Sequence, residues 1–288
     1  MNLPSLLPSG ILASGDIVGH LTNSYEIHVG PWRANLAPLN HALKGAFGDW
    51  FPGLTKHAVM MLCAALVVGF AGVLAARRAV RDEGRGLFAN MVEATALFLR
   101  DQVVAPGIGH HHARTWFPLI ATMFFFILAC NLLGLLPPPF GSTATGNVNV
   151  TGGLALITLG SMFVGGMVEK GPVRFWIGLV PHGVPWWMWP LVWVIEFFGL
   201  FTKPFALTVR LFANMTAGHV IMAVLGGFLV VGGPTFGAWI TNKAMVVPPS
   251  LAFYLFINVF EIAIALIQAY IFATLSSIFI GMMLSHEH

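Results

Sequence analysis

Charge is scarce in this chain. Only 9% of its 288 residues are Asp, Glu, Lys or Arg, against roughly 25% in ordinary soluble proteins. The net charge is +3, and the basic residues do not gather into a nucleic-acid patch. Cysteine is scarcer still. Cys63 and Cys130 each lie in an apolar run with no partner at disulfide or metal-ligand spacing, so both read as small buried hydrophobes. There is no Gly-x-x-x-x-Gly-Lys-Ser/Thr loop, so phosphoryl transfer is not this chain's own chemistry, and no cofactor is expected. No internal repeat is visible, which counts against an inverted-repeat transporter. The first stretch lacks a basic n-region, and Asp16, His20, Asn23 and Glu26 interrupt it. The sequence therefore predicts no cleavable signal peptide and a mature chain starting at or near Met1.

Apolar residues take the place of charge. They make up 57% of the chain, with a mean hydropathy of +0.81, which defines an integral membrane protein in a lipid bilayer. The 32 glycines and 24 phenylalanines suit transmembrane helices whose backbones approach closely.

The expected fold is all-α and polytopic. Residues 1–56, interrupted by Pro4, Pro8, Pro31, Pro38 and Pro52, read as an extramembrane arm with one or two short helices. Residues 57–288 form the membrane domain, with crossings at about 57–76, 116–136, 152–168, 188–232 and 246–284. Between the first two, LFANMVEATALFLRDQVVA at 87–105 sets Glu93, Arg100 and Asp101 opposite an apolar face, the pattern of an amphipathic interfacial helix. Pro137, Pro138 and Pro139 close the second span. Trp186, Trp187 and Trp189 read as interface anchors. The last two runs exceed what a perpendicular helix needs at about 1.5 Å per residue, so they must tilt strongly, bend or lie partly in plane.

Orientation follows from Lys and Arg. Arg77, Arg78, Arg81, Arg85, Arg100 and Arg114 lie between spans one and two, and Lys170 and Arg174 follow span three. The remaining loops carry only Lys243. Alternate loops are thus basic and cytoplasmic, with the N-terminal arm outside and the C-terminus inside. His110, His111 and His112 fall on the cytoplasmic side. Consecutive residues share no helix face, so they read as a hydrated interfacial loop rather than a metal site. His20, His28 and His41 read as surface histidines of the outer arm, and His286 and His288 at the tail likewise form no metal site.

Arg210 interrupts a long apolar run, FALTVRLFANMTAGHVIMAVLGGFLVVGG. Its guanidinium stays charged, and at mid-membrane it costs on the order of 2.5–3.5 kcal/mol on insertion scales. It is either a structural ion pair or a working charge facing protein or water. Seven residues make nearly two helical turns, so Glu196, Lys203 and Arg210 share one stripe, with Asn214 one turn on. His219 falls on roughly the opposite face. Asn258, Glu261 and Gln268 make a second stripe in the last helix. If the two helices form an antiparallel hairpin turning in GPTFGAWITN (233–242), one register levels Arg210 with Gln268 and His219 with Glu261. The second pair then sits about two and a half turns nearer the outer surface. A His–Glu pair at that depth can handle protons or simply fix the register. Protons reaching it could not pass an Arg unaided, because Arg neither releases its proton nor tolerates a nearby cation in a low dielectric. Competing readings are a secondary transporter that binds an anionic substrate at Arg210, and a purely structural scaffold.

TKPFALTVRLFANMTAGH at 202–219, with LIQAYIF at 266–272, closely resembles the signature of subunit a of F-type ATP synthases. GDIVGHLTNS at 15–24, CNLLGLLP at 130–137, NVNVT at 147–151 and the SHEH tail fall in that family's order. The resemblance implies a non-catalytic, proton-conducting stator subunit of the Fo sector, in a bacterial inner membrane. Its last two helices would form a tilted hairpin facing the c-subunit ring, beside a b-subunit peripheral stalk and the rest of the F1Fo complex. It would carry two half-channels coupling proton flow to ring rotation and ATP synthesis. Arg210 matches the essential arginine, and Asn214 and Gln268 match its polar neighbours. Glu196 matches an acidic position of the inner half-channel. His219 and Glu261 match outer positions that bacterial members often fill as Glu and His respectively. Here the pair is exchanged, which keeps the couple and implies that the two sites touch. Gly134 stands where some relatives carry Asp, which removes one acidic group from the outer mouth.

Overall fold

The computed structural model describes residues 26–29, 32–41, 55–81, 86–135, 144–180, 183–231 and 243–284. The proline stop at 137–139, the hairpin turn at 233–242, GDIVGHLTNS with His20, and the SHEH tail with His286 and His288 lie outside the described residues. Most of the arm does too. What is described there is an antiparallel pair, β1 (Glu26–Val29) and β2 (Trp32–Asn35), with Glu26 opposite Asn35 and Val29 opposite Trp32. A short helix, α1 (37–41), follows it. The hairpin adds strands to an arm expected to be helical. Ile27, Val29 and Trp32 are β-formers, and Gly30 and Pro31 between the strands disfavour a helix.

Beyond the arm the described residues are helical, and five helices are long and apolar enough to cross a membrane: His57–Arg77, His110–Leu135, Val148–Lys170, Trp186–Met222 and Leu251–Leu284. In full, α2 is Lys56–Arg81 and α3 is Leu87–Phe98, which runs through a π-helical segment (Leu99–Val104) into α4 (Ala105–Ile108). Next come α5 (His110–Leu135), α6 (Val148–Lys170) and the short α7 (Pro172–Ile177). The chain ends in α8 (Trp189–Val231) and α9 (Lys243–Leu284), of 43 and 42 residues. At 1.5 Å per residue each is about 63 Å long, twice the roughly 30 Å hydrocarbon core, so neither can stand upright within it.

The His run is corrected by the structure. His110, His111 and His112 open α5 instead of forming a loop. Gly109 takes φ +89°, a conformation that suits glycine, and lets one helix end and the next begin without a spacer. Its amide donates to the Ala105 carbonyl at 3.0 Å, and its own carbonyl accepts from the Ala113 amide at 3.0 Å. His112 Nε2 lies 3.8 Å from Glu169 Oε1 at the far end of α6. Among the described residues no group of three or more His, Cys, Asp or Glu could hold a metal ion.

The chain divides into two compact units. One gathers the described parts of Met1–Ala64, Cys130–Asn147 and Ala213–Leu266; the other those of Ala65–Ala129, Val148–Phe212 and Ile267–His288. The second holds the main apolar core, in which Leu99, Val103, Ile120, Ile127, Met162, Leu200, Leu207, Leu211, Phe272 and Ile280 are buried together. Within it the interfacial segment α3–α4 docks on α9. A Cβ on Gly281 would overlap the carbonyl of Gly107, so the two backbones touch. Beside that contact Ser277 Oγ donates to the Val103 carbonyl at 3.1 Å. Pro106 brings no amide to the ladder, which helps explain why the preceding turn widens into a π-helix with a carbonyl to spare. The amphipathic pattern holds within Leu99–Val104, where Leu99, Val103 and Val104 are buried while Arg100 and Asp101 are exposed; in α3, Leu87, Phe88, Met91, Leu97 and Phe98 are exposed and Glu93 is half-buried. Arg100 Nε donates to Asp101 Oδ1 at 2.7 Å, and that bond holds the Asp101 carboxyl below the usual range.

The unit containing Glu261 has a different interior. Asn40, His57, Asn131, Thr145 and Glu261 are all buried within it. A buried amide or ionisable group inside a membrane protein lines a protein or water interior rather than lipid.

Candidate functional site

In the larger-cored unit the stripe on α8 carries Glu196, Lys203 and Arg210. Leu200 and Leu207 follow Glu196 and Lys203 at i+4 and so border that stripe, and their burial together with Leu211 fixes how the helix rotates. Arg210 is exposed, and among the described residues it has no hydrogen-bond or ion-pair partner. Thr202 and Ala206 are exposed before it on the same helix, with Val209 beside it. They are short or branched side chains that would let another helix come close. Glu196 is half-buried next to Gly199. Lys203 Nζ lies 6.0 Å from the centre of the Phe279 ring on α9, a cation–π contact that turns its charge toward the last helix. Gln268 on α9 is buried in the same unit, 3% exposed.

The other unit holds Asn214, His219 and Glu261. Asn214 is exposed and His219 half-buried. Glu261 is only 6% exposed, and neither carboxylate oxygen accepts a hydrogen bond from the described residues. The Thr216 hydroxyl is likewise buried without a partner. Gly218 packs directly on the Glu261 carboxylate, and a Cβ there would overlap it. The residue next to His219 thus touches Glu261, in the register read from the sequence. The Lys203–Phe279 contact in the other unit is also antiparallel, a few positions off that register. Buried polar atoms are almost always paired in folded proteins, so a buried carboxylate that accepts no hydrogen bond from the described residues stands out as a candidate functional group.

Sequence reasoning passed over Asn131 and Thr145. Both are 0% exposed; Thr145 Oγ1 donates to Asn131 Oδ1 at 2.7 Å, and Asn131 Nδ2 donates to the Ala265 carbonyl at 3.4 Å. The signal available was a lone amide in the apolar CNLLGLLP run, where an uncharged polar group must find partners. Its partners, 14 and 134 positions away, left no local pattern.

Fold and site together define a multi-pass helical membrane protein with ionisable groups along its last two long helices. Residues 58–281 match the family described as ATP synthase A chain. The chain is 38% identical over 275 residues to ATP synthase subunit a of Chloroherpeton thalassium, covering 94% of this chain and 77% of that protein. It is 39% identical over 252 residues to ATP synthase subunit a of Myxococcus xanthus, covering 84% and 79%. With ATP synthase subunit a of Anaeromyxobacter dehalogenans the identity is 41% over 281 residues, covering 93% and 70%. The chain belongs to the ATP synthase A chain family.

Proposed function

We propose that this chain is the proton-conducting stator subunit of an Fo sector, working against a ring of c subunits and held by a b-subunit stalk. It does no bond chemistry itself; the transported ion is a proton. Protons enter from the outer side at His219 and Glu261, load a carboxylate on the ring and leave past Glu196 after nearly a full rotation. Asn214 and Gln268 flank the transfer point. Arg210 is the partition: its fixed charge draws the ring carboxylate into its ionised form and stops protons from crossing directly. The arm is extracytoplasmic, the C-terminus cytoplasmic and the membrane a bacterial inner membrane.

The observation that carries this reading is the state of Arg210. A permanent charge on a membrane helix, exposed and without a partner among the described residues, needs a counter-charge, and we assign it to another chain. Arg210→Ala in the reconstituted complex should abolish ATP-driven proton pumping, a loss of at least about a hundredfold if the charge is worth 2.7 kcal/mol or more in transfer. Retained pumping would refute the partition.

A further inference from the structure

Resting on the assignment of Glu261 to outer proton entry, we infer that Asn131 and Thr145 form a clasp on the Glu261-bearing turn of α9, which makes Asn131 a positioning residue for that entry. Glu261 receives no hydrogen bond from the described residues. Its place is set by the backbone of its own turn and by the Gly218 surface against which it packs. Ala265 lies one turn further on the same face of α9 and is itself 0% exposed. The Asn131 amide reaches across from α5 to the Ala265 carbonyl at 3.4 Å, while its Oδ1 accepts the Thr145 hydroxyl at 2.7 Å. All these residues belong to one compact unit.

The chemistry of the clasp is specific. A carbonyl can only accept, so the group facing Ala265 must donate. Thr145 offers its proton, so the group facing it must accept. An amide alone does both with two adjacent atoms; a carboxylate cannot donate, and an aliphatic side chain does neither. Thr145 stands in the 3-10 turn Ala144–Gly146, just before α6. The clasp therefore ties the end of α5 and the 3-10 turn that carries Thr145 to the stretch of α9 next to Glu261. Of the elements meeting there, α9 brings Glu261 and α8 brings His219 beside Gly218; Asn131 and Thr145 do not titrate.

The test compares Thr145→Val, Thr145→Ser, Asn131→Leu and Glu261→Gln in the reconstituted whole complex. It reads complex yield, ATP hydrolysis and the dependence of ATP-driven pumping on outer-side pH. Thr145→Val and Asn131→Leu should shift the midpoint of that pH profile and lower pumping per ATP about three- to tenfold, the scale of one lost buried hydrogen bond. Thr145→Ser keeps the hydroxyl and should retain the parent profile. Should Asn131→Leu fail to assemble, the Val and Ser variants at Thr145 decide alone. An unshifted profile in Thr145→Val, or a loss of pumping only in proportion to yield, overturns the clasp. Unimpaired pumping in Glu261→Gln would instead overturn the entry reading on which the clasp rests.

Discussion

Arg210 and Glu261 are both costly groups, and their surroundings differ in an informative way. Arg210 is exposed, whereas Glu261 is buried with neither oxygen bonded by the described residues. A charge presented outward suits a partner that comes and goes, and a buried carboxylate suits a group that passes something inward. The exchange of residue types in the outer couple sharpens this. If His219 and Glu261 work as a pair, their order should matter less than their joint presence. His219→Glu combined with Glu261→His should then retain clearly more transport than either single change, because groups in contact couple by about 0.5–3 kcal/mol. The check is a double-mutant cycle on proton pumping in vesicles, and equal loss in all three variants would refute direct coupling. These groups were legible from sequence because charge stands out in an apolar run and helical spacing sorts it into stripes. Asn131 was not, since an amide whose partners are far along the chain has no periodic company.

At the scale of elements, the interfacial segment was legible as an amphipathic stretch, but its π-helical turn was not. A widened turn keeps nearly the same apolar spacing, and only Pro106 hinted that the ladder would lose a bond. Helix lengths could be read from hydropathy; the start of α5 could not, because Gly109 permits a junction without polar spacer residues. What holds the segment to α9 is close backbone contact, with Gly107 against Gly281 and the Ser277–Val103 hydrogen bond alongside. The obstacle to a Cβ on Gly281 is a carbonyl and not the end of a side chain, so it cannot swing aside. Gly281→Ala should destabilise the docked segment by about 1–3 kcal/mol, the usual cost of overpacking. Faster proteolysis within 87–108 and a lower thermal midpoint of the purified complex would report it. Gly153 makes a matched control: a Cβ there meets nothing within 4 Å, so Gly153→Ala should leave both measurements unchanged. Equal effects at the two glycines would mean that the contact does not hold the segment.

For the whole molecule, orientation decides which compartment the proposed entry and exit sides face, and it can be tested apart from transport. Basic residues flank the same side of alternate helices: Arg77 at the end of α2, Arg114 at the start of α5, Lys170 at the end of α6 and Arg174 in α7. Short loops rich in Lys and Arg stay in the cytoplasm, so α7 should lie inside and α1 outside. Val173 in α7 is 70% exposed and His41 in α1 is exposed, so a thiol at either would be open to reagent. The native cysteines complicate labelling little, since Cys130 is buried and Cys63 partly so; replacing both with Ser gives a clean background. In intact cells a membrane-impermeant maleimide should then label His41→Cys and spare Val173→Cys. In inverted vesicles the preference should reverse. The same pattern would put the Glu261 side of α9 toward the compartment from which protons are proposed to enter, because in that orientation α9 would start on the arm's side of the membrane and end on the cytoplasmic side. Labelling of Val173→Cys from outside would invert the molecule, and with it the assignment of His219 and Glu261 to entry and Glu196 to exit.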